Sequence, residues 1–537
     1  MLPWIVLAGF LLVVVRLFRS RRTSRLPLPP GPKGLPFVGN FWDIPGDFEW
    51  ITYHKWCKAF NTDILYLNLA GTPLIVLDSY EVVNQLLEKR SAVFSNRCLD
   101  FVSVIRVFLD TDSFLSSRPQ FPMQSELMGL DFNFAFMDYG PKWQKHRRLM
   151  HQHFHAGASR LFLPHTLKSC RNLLTRFLDI PDDVLGNLRQ MAGETIMAIA
   201  YGIQVQEYND PYIDIAEKAV HTLLAAGAPG KYLVDTFPIL KHVPEWMPGA
   251  GFQRKAKEYK TLARTMFALP YSAAKQNFAS GDSPACFTSR CLESLACAKD
   301  KAFFDEEVIQ NNAGAMYVAG SDTTLSAIAS CILGLLENPQ VIKRAQEELD
   351  RVVKPGQLPS FDDEGSLPYI TAITKEALRW RDVVPTAASR KLLIDEEYKG
   401  YRLPAGSIVV PNAWAILHNE DIYLDPFEFN PDRFMTKDGK LDQAVFDPER
   451  ACWGFGRRIC PGRHMAFSAI WINVASMLAV FDIKKAVDEA GNVIEPSHEY
   501  LSGLVCLPKP YKCSITPRSK EAEELIRGYA NSESSQD

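Results

Sequence analysis

The sequence predicts a mainly α-helical body with a minor β part, and three observations carry that expectation. From about residue 48 onward, apolar residues recur at the spacing of one face of a helix. One pattern, the longest, runs from about Asp305 to Glu337, opened by Asp305-Glu306-Glu307 and closed by Asn338-Pro339. Strand-like runs are short: DILYLNL (63–69), TPLIVL (72–77) and a pair within YKGYRLPAGSIVVPN (398–412). With no internal repeat or low-complexity block, one large domain over 41–517 is expected, followed by a polar tail at 518–537.

The chain of 537 residues is 47% hydrophobic and 23% charged, which places it among globular proteins and excludes disordered and fibrous classes. A formal net charge of -3 gives no reason to expect nucleic acid as a partner. Small molecules and membrane lipid are favoured instead. Eleven cysteines, with no C-x-x-C pair, argue against a disulfide framework and for a reducing compartment.

The first residues are apolar from Leu2 to Val15 and reach Phe18 if Arg16 snorkels, so 1–18 reads as a membrane anchor. Its cations, Arg19, Arg21, Arg22 and Arg25, follow the apolar run, which is the wrong side for a cleaved signal peptide. The positive-inside rule then leaves the rest of the chain in the cytosol. Residues 19–40 form a basic and proline-rich hinge, in which LPLPPGPKGLPFVGN (26–40) cannot continue a helix and favours an extended spacer.

In WGFGRRICPG (453–462), Cys460 follows two arginines and precedes a Pro-Gly pair. A buried structural cysteine gains nothing from nearby cations, whereas a working thiolate is stabilised by them. Gly454, Gly456 and Gly462 permit unusual backbone angles and close approach to a flat ligand. The stretch reads as a thiolate presented to something planar.

Within the long helical pattern, Ser321, Asp322, Thr323 and Thr324 interrupt an apolar run, and such groups cost free energy when buried unless they are satisfied or used. Ser321 as the cap of a new helix is one reading. The other is that Asn312, Met316, Ala319 and Thr323 share a face with room for a flat cofactor, to which Asp322 and Thr323 deliver protons. WQKHRR sets Trp143 and Arg147 on one face, suited to an anionic group. KEALRW places Glu376 and Arg379 one turn apart, and FNPDRF carries Arg433; alone, such pairs are commonplace. HQHFH (151–155) does not read as a metal site, since His153 points away from His151 and His155 on a helix.

Taken in order, AGSDTT, EALR, FNPDRF and WGFGRRICPG resemble the four signatures of the cytochrome P450 family, from the proline hinge to about residue 517. GKYLVDTFPILKHVPEWMPG (230–249) is similar to fungal microsomal members that hydroxylate secondary metabolites, including mushroom terpenoid and tryptamine hydroxylases. The resemblance implies the cytochrome P450 fold with an N-terminal transmembrane anchor in the endoplasmic reticulum membrane, a haem cofactor with Cys460 as axial thiolate, and monooxygenase chemistry. It implies that Thr323 and Asp322 relay protons to dioxygen and that Glu376, Arg379 and Arg433 form a structural ion network. Trp143, Arg147, Arg390 and Arg458 would hold the haem propionates, with Gly456 and Gly462 in the ligand loop. Met316, Ala319, Val384, Ala387 and Leu501 would line an apolar pocket, which suits a terpenoid-like substrate; an aromatic or indole amine is the alternative. An NADPH-cytochrome P450 reductase would supply electrons, with Lys142, Lys145 and Arg148 as part of a basic docking face or simply a solvated one. A haem-thiolate isomerase or dehydratase and a non-catalytic haem protein are the rival classes.

Two departures from the pattern stand out. The ligand loop of relatives begins with Phe where this chain has Trp453, whose N–H, on the sulfur, would weaken electron donation and raise the iron potential relative to Trp453→Phe. Residues 98–118 separate Ser95-Asn96-Arg97 from PQFPMQSELMG, where relatives pass almost directly between such stretches. A retained intron and a genuine substrate-side loop both account for it.

Overall fold

The computed structural model describes residues 26–90, 122–207, 210–226, 232–236, 238–298 and 302–534. The membrane anchor and the segment 98–118 lie outside the described residues. The helices that build the body are α1 (Glu49–Ala59), α2 (Pro141–Phe154), α3 (Leu163–Asp179), α4 (Val184–Tyr201), α5 (Pro211–Ala226), α6 (Gly251–Ser280), α7 (Phe287–Cys297) and α8 (Glu306–Glu337). They are followed by α9 (Pro339–Val352), α10 (Pro368–Trp380), α11 (Arg463–Val480) and α12 (Lys520–Ser534).

α8 is the axis of the body, in contact with α4, α6, α7, α10 and α11. Asp305 caps it through a bond accepted from the Val308 N–H at 3.0 Å, and Asn338 ends it. The helix is continuous through Ser321, so that residue is not the start of a new helix. It is long and apolar enough to cross a membrane, but 67% of its most apolar window is buried in the body, as in a core helix. The main core gathers Leu325 to Leu336 of α8 with Leu173 and Phe177 of α3, Ile370 and Ile373 of α10, and Trp471 and Leu478 of α11.

The β part is small and joins distant stretches. Strands β1 (Ile64–Leu69) and β2 (Thr72–Leu77) form a hairpin whose two-residue turn, Ala70-Gly71, has positive φ at both positions, as the tightest hairpins require. Strand β3 (Arg390–Lys391) precedes the hairpin of β4 (Glu396–Tyr398) and β5 (Tyr401–Leu403), and β6 (Ile408–Pro411) follows. β6 lies parallel to β2, with Leu74 opposite Ile408, and antiparallel to β3, with Arg390 opposite Val409. The sheet order β1-β2-β6-β3 thus carries Arg390 on a strand anchored to the start of the chain. The last strands are β7 (Phe481–Lys485), β8 (Tyr500–Leu501), β9 (Leu507–Pro508) and β10 (Cys513–Pro517), pairing as β7–β10 and β8–β9.

Two expectations about the ends need correction. The proline-rich stretch is not a free spacer over residues 27–32: Pro30 O accepts from Tyr66 N–H at 2.9 Å, and Pro27 O from Arg402 N–H at 2.8 Å. A Cβ at Gly31 would fall 2.0 Å from Tyr66 O, so only glycine fits that approach. The stretch after Ser519 is not a polar tail. It forms α12 against α3, burying Ile526 and pairing Arg527 with Asp179 at 2.7 Å. Its sequence looked polar because a narrow apolar stripe, Ala522, Leu525, Ile526 and Tyr529, suffices when a helix lies on the surface of a body.

Helix packing is reinforced by a cap supplied from outside. α10 starts at Pro368, and the next two N–H groups, of Tyr369 and Ile370, are taken by the buried carboxylate of Glu348 on α9 at 3.0–3.2 Å. Glu348→Ala leaves those buried donors unsatisfied and should cost about 1–3 kcal/mol of stability, read as a lower urea midpoint.

Candidate haem-thiolate site

Cys460 closes a tight loop: its N–H donates to Trp453 O at 2.9 Å, across Gly454 (φ 74°) and Gly456 (φ 57°), two positions where a side chain would strain the backbone. Gly462 is the N-cap of α11, so the half-buried thiol sits at the mouth of an 18-residue helix. Burial raises its pKa, and the N–H groups of Gly462 and Arg463 with the Arg147 and Arg463 guanidinium groups oppose that rise. These are donors and cations arranged for a thiolate. A Cβ at Gly454 or Gly462 would meet nothing within 4 Å, so the loop presents an open flank to a flat group. The donor set and the open flank fit haem.

The cations named from sequence converge on this loop from three directions. Arg390, buried on β3, donates to Phe455 O. Arg458 donates to Met137 O at 2.9 Å and lies over the Trp143 ring, 4.5 Å from its centroid. Arg147, one turn beyond Trp143 on α2, lies in the field of both Cys460 and Arg463. Tyr139, which sequence reasoning missed, completes the contact: Arg457, the other arginine before Cys460, donates to its hydroxyl at 3.1 Å, and its ring packs on Trp143 at 4.9 Å. The aromatic-plus-arginine spacing of Tyr139, Trp143 and Arg147 was the signal available. Of the basic residues read as a docking face, Lys142 pairs with Glu307 at 2.9 Å and Arg148 stacks over Phe303 at 4.1 Å.

α2 is clamped to α8 by buried polar groups that no sequence pattern announced. His146 donates through Nδ1 to Lys142 O at 2.8 Å, and its Nε2 accepts from Asn311 at 3.3 Å. Asn312 donates to His146 O at 3.1 Å. Burial pushes the His146 pKa below its usual value, which keeps the ring neutral and able to accept. Asn312, read as part of an open face, is instead wholly buried in this clamp, because a buried amide must find partners.

Beyond the clamp, burial along α8 breaks. Residues 308–317, apart from Gln310, and the whole of 325–336 are buried, whereas Ala319 is exposed and Val318, Gly320, Asp322, Thr323 and Thr324 are half-buried. The Thr323 hydroxyl donates to Ala319 O at 2.6 Å and is satisfied within its own helix, whereas the buried Ser321 hydroxyl has no partner among the described residues. Ser326 donates to Cys506 O at 2.5 Å, and Cys506 N–H to Val383 O at 2.9 Å, tying α8 to the segment 383–387 and to the β8–β9 hairpin. The pocket candidates therefore sit on three joined segments, with different surroundings. Ala319 and Val384 are accessible, Leu501 is 47% exposed, Ala387 is buried at φ 44°, and Met316 packs into a core cluster with Trp143.

Glu376 and Arg379, both at 0% exposure, form a two-point ion pair at 2.7 and 2.8 Å. Arg433 reaches the same carboxylate at 3.2 Å, and Asn430 N–H donates to it at 2.7 Å. The arginines spend their other donors on carbonyls: Arg379 on Leu417, Pro426 and Glu428, Arg433 on Leu424, Asp425 and Glu428. Trp453 corrects an expectation. Its indole N–H donates to Glu449 at 3.1 Å, not to the Cys460 sulfur, because a carboxylate one helical turn back is the stronger acceptor. In HQHFH, His153 Nε2 lies 3.4 Å from Cys291 Sγ while His151 and His155 are exposed.

The fold and this site define a class, a mainly helical protein that holds a planar cofactor against a cysteine thiolate. Comparison with known proteins makes the class specific. Residues 99–515 match the cytochrome P450 family model. The chain is 43% identical over 529 residues to cytochrome P450 monooxygenase 98 of Postia placenta, covering 98% of this chain and 97% of that one. It is 42% identical to a cytochrome P450 monooxygenase of Armillaria gallica, with 95% of each chain covered. It is 37% identical to the tryptamine 4-monooxygenase of Psilocybe cyanescens, over 95% of this chain and 96% of that one. The chain belongs to the cytochrome P450 family. It is an oxidoreductase of the monooxygenase type whose cofactor is haem with a cysteine-ligated iron.

Buried charge near the site has two measurable consequences. Glu376→Ala strands the Arg379 guanidinium at zero exposure and should cost about 3–5 kcal/mol, seen as loss of folded, haem-loaded protein on expression. Asp382 is 2% exposed; its Oδ1 accepts from Val384 N–H at 3.2 Å, its Oδ2 has no partner among the described residues, and burial pushes its pKa up to about 7. A carboxyl raised in the folded state holds its proton while the unfolded chain has lost it, so stability falls as pH rises from about 4 to about 7. Asp382→Asn should flatten that decline, worth roughly 4 kcal/mol at full shift, in denaturation midpoints compared at pH 5 and pH 8.

Proposed function

We propose that this protein is a membrane-anchored monooxygenase that hydroxylates a small lipophilic secondary metabolite of terpenoid-like character, using dioxygen and electrons from an NADPH-cytochrome P450 reductase. Cys460 would hold the haem iron through its thiolate in this reading, and the haem would supply oxygen activation. The observation that carries the reading is the break in burial at 318–324 on α8, the helix that α2 ties to the Cys460 loop.

Each group of residues then has a task. Trp143, Arg147, Arg390 and Arg458 would hold the haem propionates, and Gly456 and Gly462 would give the ligand loop the backbone freedom it needs beside the cofactor. Thr323 holds its own proton on Ala319 O and so keeps its oxygen lone pairs available for a proton in transit. Asp322, half-buried beside it, resupplies that proton from the surface. Glu376, Arg379 and Arg433 fix the chain ahead of the loop. Met316, Ala319, Val384, Ala387 and Leu501 meet the substrate with apolar atoms, which excludes water and favours a hydrocarbon skeleton.

Hydroxylation of an aromatic or indole amine is the second reading, favoured by the relative named as a tryptamine 4-monooxygenase. The buried carboxylate nearest the candidate pocket in sequence, Asp382, is closed to solvent, which favours the neutral substrate. Binding spectra with terpenoid and tryptamine panels separate the two.

The decisive experiment is the reduced carbon monoxide difference spectrum of membranes carrying the full chain. The strongly red-shifted thiolate band is expected from the wild type and not from Cys460→Ser; its persistence in the variant would remove Cys460 from the site. Turnover that requires both NADPH and oxygen excludes the isomerase, dehydratase and non-catalytic readings. Thr323→Ala should keep the band while product formed per NADPH consumed falls by roughly tenfold or more.

A further inference from the structure

Trp453 and Cys460 are the two ends of one closed loop, bonded backbone to backbone at 2.9 Å. The half-buried indole stands against the main core at the start of that loop. It has one N–H to give, and the chain at the two ends of the loop offers two kinds of acceptor, the Glu449 carboxylate and the Cys460 sulfur. The bond runs to Glu449, at 3.1 Å, across the single turn Glu449–Cys452.

Glu449 is itself held from two sides. Its N–H donates to Asp447 Oδ1 at 3.0 Å, and its carboxylate pairs with Lys375 at 3.3 Å. Lys375 also pairs with Asp447 at 2.5 Å, and its own side chain is only 14% exposed. It sits on α10 immediately before Glu376, so the helix that carries the buried ion network also sets where Glu449 points. The result is a chain of polar contacts from α10 through Lys375 and Glu449 to the indole. A carboxylate holds an N–H donor more strongly than a neutral acceptor does.

A hydrogen bond to a ligating sulfur withdraws electron density and raises the potential of the metal it serves. We propose that Glu449 is a positioning residue of the haem-ligand loop: by taking the indole N–H of Trp453, it keeps that donor off the Cys460 sulfur and so holds the reduction potential low. The proposal rests on Cys460 as the ligand. It gives Trp453 the place of an aromatic cover whose polar edge has been turned away.

Redox titrations of the holoprotein test it, comparing the wild type, Trp453→Phe, Glu449→Gln and Glu449→Leu with the two double variants that combine each Glu449 substitution with Trp453→Phe. Both Glu449 substitutions remove the charge, but glutamine keeps an acceptor for the indole and leucine does not. The potential of Trp453→Phe should equal that of the wild type. Glu449→Leu should lie above Glu449→Gln by at least a tenfold change in the reduction equilibrium, about 59 mV for one electron, and the gap should vanish when both are combined with Trp453→Phe. A lower potential in Trp453→Phe, equal potentials for the two Glu449 variants, or a gap that survives in the double variants would each overturn the proposal. If Glu449→Leu fails to hold haem, the Trp453→Phe comparison decides alone, equality supporting and a drop overturning. The carbon monoxide band of the wild type keeps the underlying reading separate: its absence would overturn Cys460 and this proposal together, whereas its presence with the wrong potentials overturns this proposal only.

Discussion

The arrangement that the rest of the site depends on is a single carboxylate at zero exposure shared by two arginines. A buried charge without partners costs several kcal/mol, so the fold must bring Arg379 and Arg433 to Glu376 or leave the charges in water. Having met, the two guanidinium groups still carry unused donors, and these bind carbonyls between Leu417 and Glu428. An irregular segment with few regular hydrogen bonds of its own thereby becomes a rigid one. The neighbouring residue on α10, Lys375, extends the same fastening to Asp447 and Glu449 at the edge of the cysteine loop.

The other half of the site is fixed by neutral groups. His146 and the amide N–H groups of Asn311 and Asn312 join α2 to α8 inside an apolar cluster, where a buried donor goes to a specific neighbour and packing alone would permit sliding. That clamp relates the Trp143–Arg147 face to the open stretch of α8. Catalytic geometry is best held on regular elements with locked side chains, and here both walls are long helices. The membership of the family and the monooxygenase class of its relatives give this frame its chemistry, while the proposed terpenoid-like substrate rests on the apolar character of the candidate pocket residues.

Much of the helical frame and the order of the site motifs could be read directly from residues. The long helix was legible because its acidic cap, its continuous apolar run and its Asn-Pro stop agree with one another. The hairpin of β1 and β2 was legible because alternation and a turn residue coincide. The helix α12 was not, since its apolar stripe of Ala522, Leu525, Ile526 and Tyr529 is narrow among mostly polar residues and is buried only because α3 is there. The fastening of residues 27–32 to β1 and β5 was hidden for the same reason, as backbone bonding leaves no mark on composition.

The sequence by itself determined the thiol at Cys460, the two arginines just before it, the pairing of Glu376 with Arg379 and the polar interruption at 321–324, because each is a local spacing along one element. Only the tertiary structure decided where shared groups are spent. Asn312 could face a ligand or a neighbouring helix, and the closeness of His146 O sends it to the helix. The Trp453 N–H could face sulfur or carboxylate, and a lysine on α10 holding Glu449 in place sends it to the carboxylate. A hydrogen-bond donor goes to the best acceptor within about 3 Å, and which acceptors lie that close is a property of the folded chain.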